Sequence, residues 1–206
     1  AGNAGAFDIN IYGASAQYNF WKTASEGFLK NVIGCPTANV STWYETSDKK
    51  QGIRTGTGCT GNAEYGLPAG DYTIRSASKA SYDGIFAVKG QVGGAADTSC
   101  GTSGGNEFKR KFLTAHGSTA TSCYDVTIGA SDVSGEAFVQ KSQGLLKGPK
   151  NIAADNPQTT RSFNGVDTSE LPEPFKPVKV PFGFFVNKSV TATYCTAGTK
   201  NQNGTT

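Results

Sequence analysis

Three short segments carry the residue types of an anion site: Gly13-Ala14-Ser15-Ala16, Ala77-Ser78-Lys79-Ala80-Ser81 and Gly129-Ala130-Ser131-Asp132. Each combines small residues, which let a ligand approach the backbone, with a hydroxyl that can donate a hydrogen bond. Where such a segment joins a strand to a helix, unpaired backbone N–H groups and the positive end of the helix dipole converge with that hydroxyl, which suits phosphate or another oxyanion. The anion-binding candidates are therefore Ser15, Ala16, Ser78, Lys79, Ser81, Ser131 and Asp132. Serine at a helix start also acts as an ordinary N-cap contributing about 1 kcal/mol. The binding reading thus rests on three such segments occurring together, with Lys79 alongside.

The elements that must position these residues follow from hydrophobic periodicity. Residues 7–13 read as a strand, because Phe7, Ile9 and Ile11 alternate with polar neighbours. Residues 16–32 read as a helix, with Tyr18, Trp21, Phe28, Leu29 and Val32 near one face and Gly34-Cys35-Pro36 as the stop. A strand at 72–77 leads into a short helix carrying Tyr82, Ile85, Phe86 and Val88, and a strand at 124–129 leads into an amphipathic helix at 134–146. Turn-rich sequence fills 147–174, an apolar run at 178–186 reads as a last strand, and a polar tail ends at Thr206. Alternation of this kind predicts an α/β fold, a largely parallel sheet with flanking helices, and all three segments at its carboxyl edge.

Two loop-rich excursions interrupt that order, at about 35–70 and 90–123, the first with a short β-like piece at 40–44. Each holds two cysteines, so local pairing of Cys35 with Cys59 and of Cys100 with Cys123 would close each excursion at its base, at about 3 kcal/mol per bridge. Cys195 is the fifth, and is either free or paired outside the chain.

Composition narrows the class. With 206 residues the chain can bury about 70% of its unfolded surface in one domain or one lobe. The net charge is +3 with no long basic run, which argues against a nucleic-acid partner. No apolar stretch approaches the roughly 18 residues that a membrane helix needs. A chain with no Met, a small-residue start at Ala1-Gly2-Asn3-Ala4 and five Cys without a C-x-x-C pair is expected to be exported, periplasmic or extracellular, with disulfides rather than a metal. No cofactor is expected.

Taken with Trp21 on the first helix, Ile128-Gly129-Ala130-Ser131-Asp132 and the Pro-flanked strand Val180-Pro181-Phe182-Gly183-Phe184-Phe185-Val186-Asn187, the chain resembles the phosphate-type periplasmic substrate-binding proteins of ABC importers. The resemblance implies one lobe of a type II periplasmic-binding fold over residues 1–206, with the two excursions as insertions and 178–206 as hinge strand and tail. It implies a non-catalytic protein that binds a small oxyanion. Ser15 with Ala16 would give a backbone and hydroxyl contact, Ser78 or Ser81 a second hydroxyl, and Asp132 would accept a proton from the anion. The second segment differs from the family's glycine-rich turn and brings Lys79. The Arg and Ser-Gly-Thr contacts of the family's second lobe have no match. The alternative is therefore a structural or assembly subunit of a surface or filamentous complex that keeps this fold. Its exposed apolar run at Phe182 to Phe185, and Cys195, would be covered by a C-terminal half, a second chain or another copy.

Other motifs carry less. Gly56-Thr57-Gly58-Cys59-Thr60-Gly61 matches G-x-G-x-x-G without the preceding apolar strand or following helix of a dinucleotide site, and reads as a turn. Gly101-Thr102-Ser103-Gly104-Gly105 matches G-x-S-x-G, but Cys100 stands where a buried strand should be, and His116 is the sole histidine that could serve Ser103. Cys100, His116 and Cys123 lack the close spacing of a zinc site.

Overall fold

The strand that opens the fold, β1 (Phe7–Ala14), becomes an interior strand of a sheet rather than its edge. The computed structural model describes residues 7–46, 51–92 and 96–132, all of them in the first of two structural units, Ala1–Ser134. After β1 come a 3-10 turn (Ser15–Gln17), α1 (Tyr18–Gly27) and one π turn (Phe28–Val32). The hairpin β2 (Val40–Tyr44) and β3 (Gln51–Cys59) follows, then β4 (Gly70–Lys79) and α2 (Ser81–Lys89). A two-stranded ribbon of β5 (Lys109–Leu113) and β6 (Thr121–Asp125) precedes the short β7 (Ile128–Ala130).

The main sheet has the order β2-β3-β4-β1-β7. β1 runs parallel to β4 and to β7, whereas β2, β3 and β4 are joined antiparallel. The expected α/β class with flanking helices holds, but the sheet is mixed rather than largely parallel. The reason lies in the first excursion, which is not a loop: it supplies β2 and β3 and extends the sheet. β3 escapes hydrophobic alternation because its α1-facing positions are Gly52, Arg54 and Gly56, in register with Ser76, Ile74 and Tyr72 of β4. The second excursion likewise holds β5 and most of β6.

Alternation along each strand sorts the core into two layers. On one face Ile11, Tyr72 and Ile74 pack with Leu29 and Ile33, at the C-terminal end of the α1 segment, and with the Cys35–Cys59 disulfide. Leu29 and Ile33 are fully buried, each stabilising the fold by about 1.5–3 kcal/mol. On the other face Tyr12 and Ala77 pack with Ala87 of α2, Phe112 of the ribbon and Val126. The Cys100–Cys123 disulfide ties the loop before the ribbon to β6, so both expected pairings are present.

The continuous strand expected at 124–129 is broken instead. β6 belongs to the ribbon and β7 to the main sheet, with Val126 and Thr127 between them. Asn10 of β1 enforces the break: its Nδ2 donates to the Asp125 carbonyl (2.9 Å), its backbone N–H to Thr127 Oγ1 (2.8 Å), and its carbonyl accepts from the Thr127 N–H (3.0 Å). The helix at 134–146, the turn-rich sequence at 147–174, the strand at 178–186 and Cys195 lie outside the described residues.

Candidate functional site

Because β4, β1 and β7 are parallel neighbours, their carboxyl ends meet side by side. Gly13 lies opposite Ser78 on one side and Ala130 on the other, and Ala14 lies opposite Lys79. The three segments singled out in the sequence are therefore adjacent in space. Gln17, in the turn that opens the first helical segment, ties the first to the third: its Nε2 donates to the Ser131 carbonyl (2.6 Å), while its Oε1 accepts from Trp21 Nε1 (3.2 Å).

Close approach at this edge depends on glycine. A Cβ on Gly84 of α2 would lie 2.6 Å from the Tyr12 carbonyl oxygen and 2.7 Å from that of Ala130, so the start of α2 rests on the backbone of β1 and β7. Gly13, at φ +134°, adopts a backbone that L side chains rarely take.

The helix starts carry no side-chain cap. α2 opens after Ala80 and the first segment after Ala14, neither of which can cap, and no side chain serves at Gln17. The serines here are thus not the ordinary N-caps that the sequence allows. Ser15 and Ala16 are exposed; Ser78, Ser81 and Ser131 are half-buried; Lys79 and Asp132 are exposed. Alternation sends Ser78 and Lys79 to opposite faces of β4, Ser78 with Ser76 and Ile74 toward α1, and Lys79 toward α2. There the Lys79 charge acts on Asp97 instead of joining Ser78.

Beneath α2 is a buried polar network. Asp83, in the first turn of α2, accepts at one carboxylate oxygen from Arg110 Nη2 (3.1 Å), Arg110 Nε (3.3 Å) and the Asp97 N–H (3.0 Å). The Tyr12 hydroxyl donates to Asp97 Oδ2 (3.0 Å). Burial, with the charges of Asp83 and Asp97 beside it, pushes the Tyr12 phenol far above its ordinary range. Burial would raise Asp97, but hydrogen bonds from Ser99 and Tyr12 and the Lys79 charge outweigh it and hold the carboxyl below its usual value. A second cation, Arg75, pairs with Asp8 (2.9 Å), donates to Asn10 Oδ1 (3.3 Å) and to the Leu113 carbonyl (3.2 Å), and stacks 4.0 Å from the Tyr124 ring centroid. Arg75 thus fastens the ribbon to the sheet, and Arg110 fastens it to α2.

Arg54 of β3 has no counterpart among the residues singled out in the sequence. It is fully buried on the α1 face. Its Nη1 donates to Ser76 Oγ (2.7 Å) and its Nε to the Tyr44 hydroxyl (3.2 Å), which itself donates to the Lys22 carbonyl. Nη2 has no hydrogen-bond partner, and no carboxylate pairs with Arg54 among the described residues. Burial lowers its pKa, against the raising influence of Tyr44, Tyr18 and Glu26. The one sequence signal is Gly52-Ile53-Arg54-Thr55-Gly56, glycines two residues either side of an arginine on one strand face.

His116, in the loop between β5 and β6, does not approach Ser103 as a hydrolase would need. Its Nδ1 meets Ser41 Oγ (3.3 Å) and its Nε2 meets Thr55 Oγ1 (3.2 Å), so it pins the ribbon loop to β2 and β3. Burial lowers its pKa. The unfolded chain therefore takes up a proton first, and this contribution to stability is complete above about pH 6.5 and lost as pH falls through the lower folded value. Urea midpoints measured from pH 7.5 down to pH 5 should fall more steeply for the wild type than for His116→Ala; equal slopes would contradict the assignment.

The G-x-G-x-x-G match ends β3 and turns at Gly61, Cys59 being in its disulfide, and only a three-residue 3-10 turn follows. Cys100 and Cys123 are bonded to each other, and among the described residues no group of His, Cys, Asp and Glu could hold a metal ion. No helix among them is long and apolar enough to cross a membrane. No family model, curated protein or solved structure matches the chain.

Proposed function

We propose that the chain is a non-catalytic solute-binding module for a small oxyanion such as phosphate, held at the carboxyl edge of β4, β1 and β7. The observation that carries this reading is the in-register meeting of three small, Ser-bearing segments, two of which open helices that no side chain caps. Uncapped helix starts leave backbone donors and the positive dipole end available to an anion. The central parallel strands with helices on both faces agree with one lobe of a type II periplasmic-binding fold, and the two disulfides are compatible with an exported protein. The assembly alternative rests on Phe182 to Phe185 and Cys195, which lie outside the described residues.

Isothermal titration of the full chain with phosphate, sulfate and related oxyanions tests the reading. Binding should also raise the unfolding free energy, by about 2.7 kcal/mol when the anion is at a hundred times its Kd. Absence of both heat and stabilisation for every oxyanion would exclude it.

A further inference from the structure

We propose that Arg54 is the charge-neutralising anchor of that anion site, its Nη2 taking one oxygen of the bound oxyanion while Ser76 and Tyr44 hold the guanidinium in place. The inference rests on the oxyanion reading and deepens it, since none of the three segments places a buried cation on the α1 face.

The first support is an unmet electrostatic need. A fully buried guanidinium is costly unless its charge and its donors are matched, and buried arginines ordinarily have carboxylate partners. Arg75 and Arg110 do; among the described residues Arg54 does not. Its pairing is left at two neutral hydroxyls and the face of Tyr44, 4.4 Å from the ring centroid to the guanidinium carbon. Nη2 is the one nitrogen of its fork with nothing to donate to.

The second support is direction. The Arg54 backbone lies opposite Ile74, but its guanidinium reaches Ser76, two residues nearer the carboxyl edge and two short of Ser78. Gly52 leaves it that path, because a Cβ there would lie 2.9 Å from Arg54 Nη1. The 3-10 turn Ser15–Gln17 packs against β4, and Tyr18, just beyond it, is close enough to act on the Arg54 charge. The Arg54 side chain thus runs along the α1 face toward the carboxyl edge, where Ser78 lies opposite Gly13, and an anion reaches Nη2 by local opening of that uncapped turn. The ligand class is a compact oxyanion with at least one full negative charge, one oxygen of which accepts a charge-assisted hydrogen bond from Nη2.

The experiment is isothermal titration and thermal unfolding of the full chain with inorganic phosphate, comparing wild type, R54M, R54K and, as a charge control on the exposed side of β5, K111A. R54M should bind phosphate about 10- to 100-fold more weakly, as expected for loss of hydrogen bonds to a charged group, with R54K between and K111A unchanged. Without phosphate R54M should melt no lower than wild type, and the order should reverse at saturating phosphate. Wild type binding phosphate with R54M and R54K within twofold of it would overturn the role of Arg54 and leave the oxyanion reading standing. R54M melting lower by the same amount with and without phosphate would mark Arg54 as structural and overturn the proposal. No binding by wild type would remove the oxyanion reading itself. If R54M does not fold, R54K decides by the same binding criterion.

Discussion

Asp83→Ala is expected to destabilise the protein by about 3–5 kcal/mol, the effect of removing one partner of a buried ion pair. The Arg110 and Asp83 side chains are 1% and 5% exposed, so little solvent can replace the lost carboxylate. The substitution also removes the acceptor of the Asp97 N–H, and Asp97 in turn accepts from Tyr12. A second, half-buried donor is thereby left open, and the loop at 96–100 loses its tie to α2. Replacing both partners, as Asp83→Leu with Arg110→Met, should recover much of the loss, because two matched apolar groups leave no charge unpaired. Urea unfolding of the three variants measures this. A loss below about 1 kcal/mol for Asp83→Ala would mean that the pair carries no such weight.

Removing the Cys35–Cys59 bridge ranks next. The bond spans 24 residues, and freeing a loop of that size returns about 3 kcal/mol of conformational entropy to the unfolded chain. Both cysteines are almost fully buried in the α1-side core, and the chain at Gly56 passes so close that a Cβ there would meet Cys35 Sγ at 2.6 Å. A Cys35→Ala, Cys59→Ala variant therefore loses packing as well as the crosslink, for a total of about 3–5 kcal/mol. The half-buried Cys100–Cys123 bridge should be reduced first under native conditions, and Cys35–Cys59 only as the core opens. Thiol trapping during a reductant titration, read by peptide mass, checks the order; the reverse order would contradict it.

What was legible in the sequence followed hydrophobic periodicity. β1, β4, the two helices and both disulfide pairings are where alternation, 3.6-residue spacing and local cysteine counting place them. The adjacency of the three Ser-bearing segments followed from the parallel pairing of their strands. β3 was not legible, because Gly52, Arg54 and Gly56 occupy the positions where apolar residues would mark a strand face. Arg54 was hidden for the same reason, a cation in what read as a turn-rich loop. β5 reads as a charged segment, Lys109-Arg110-Lys111, yet Arg110 is buried because Asp83 waits 27 residues away in sequence. The split between β6 and β7 depends on Asn10, whose bonds to Asp125 and Thr127 no local pattern records. In each case the missing information was a long-range partner.

The interior place of β1, between β4 and β7, sets the order in which the fold can be completed. A chain emerging from its N terminus presents β1 before either neighbour exists: β4 follows only after residue 79, and the bond from the Asn10 N–H to Thr127 spans 117 residues. Until residue 130 has emerged, one hydrogen-bonding side of the most apolar strand stays open, and the ribbon that covers Tyr12 is also unmade. Loop-closure entropy must be met before these contacts return anything, which slows folding. The same delay leaves an unpaired strand edge on β1, the kind of edge that templates pairing with another chain, until the last strand of the sheet has been made.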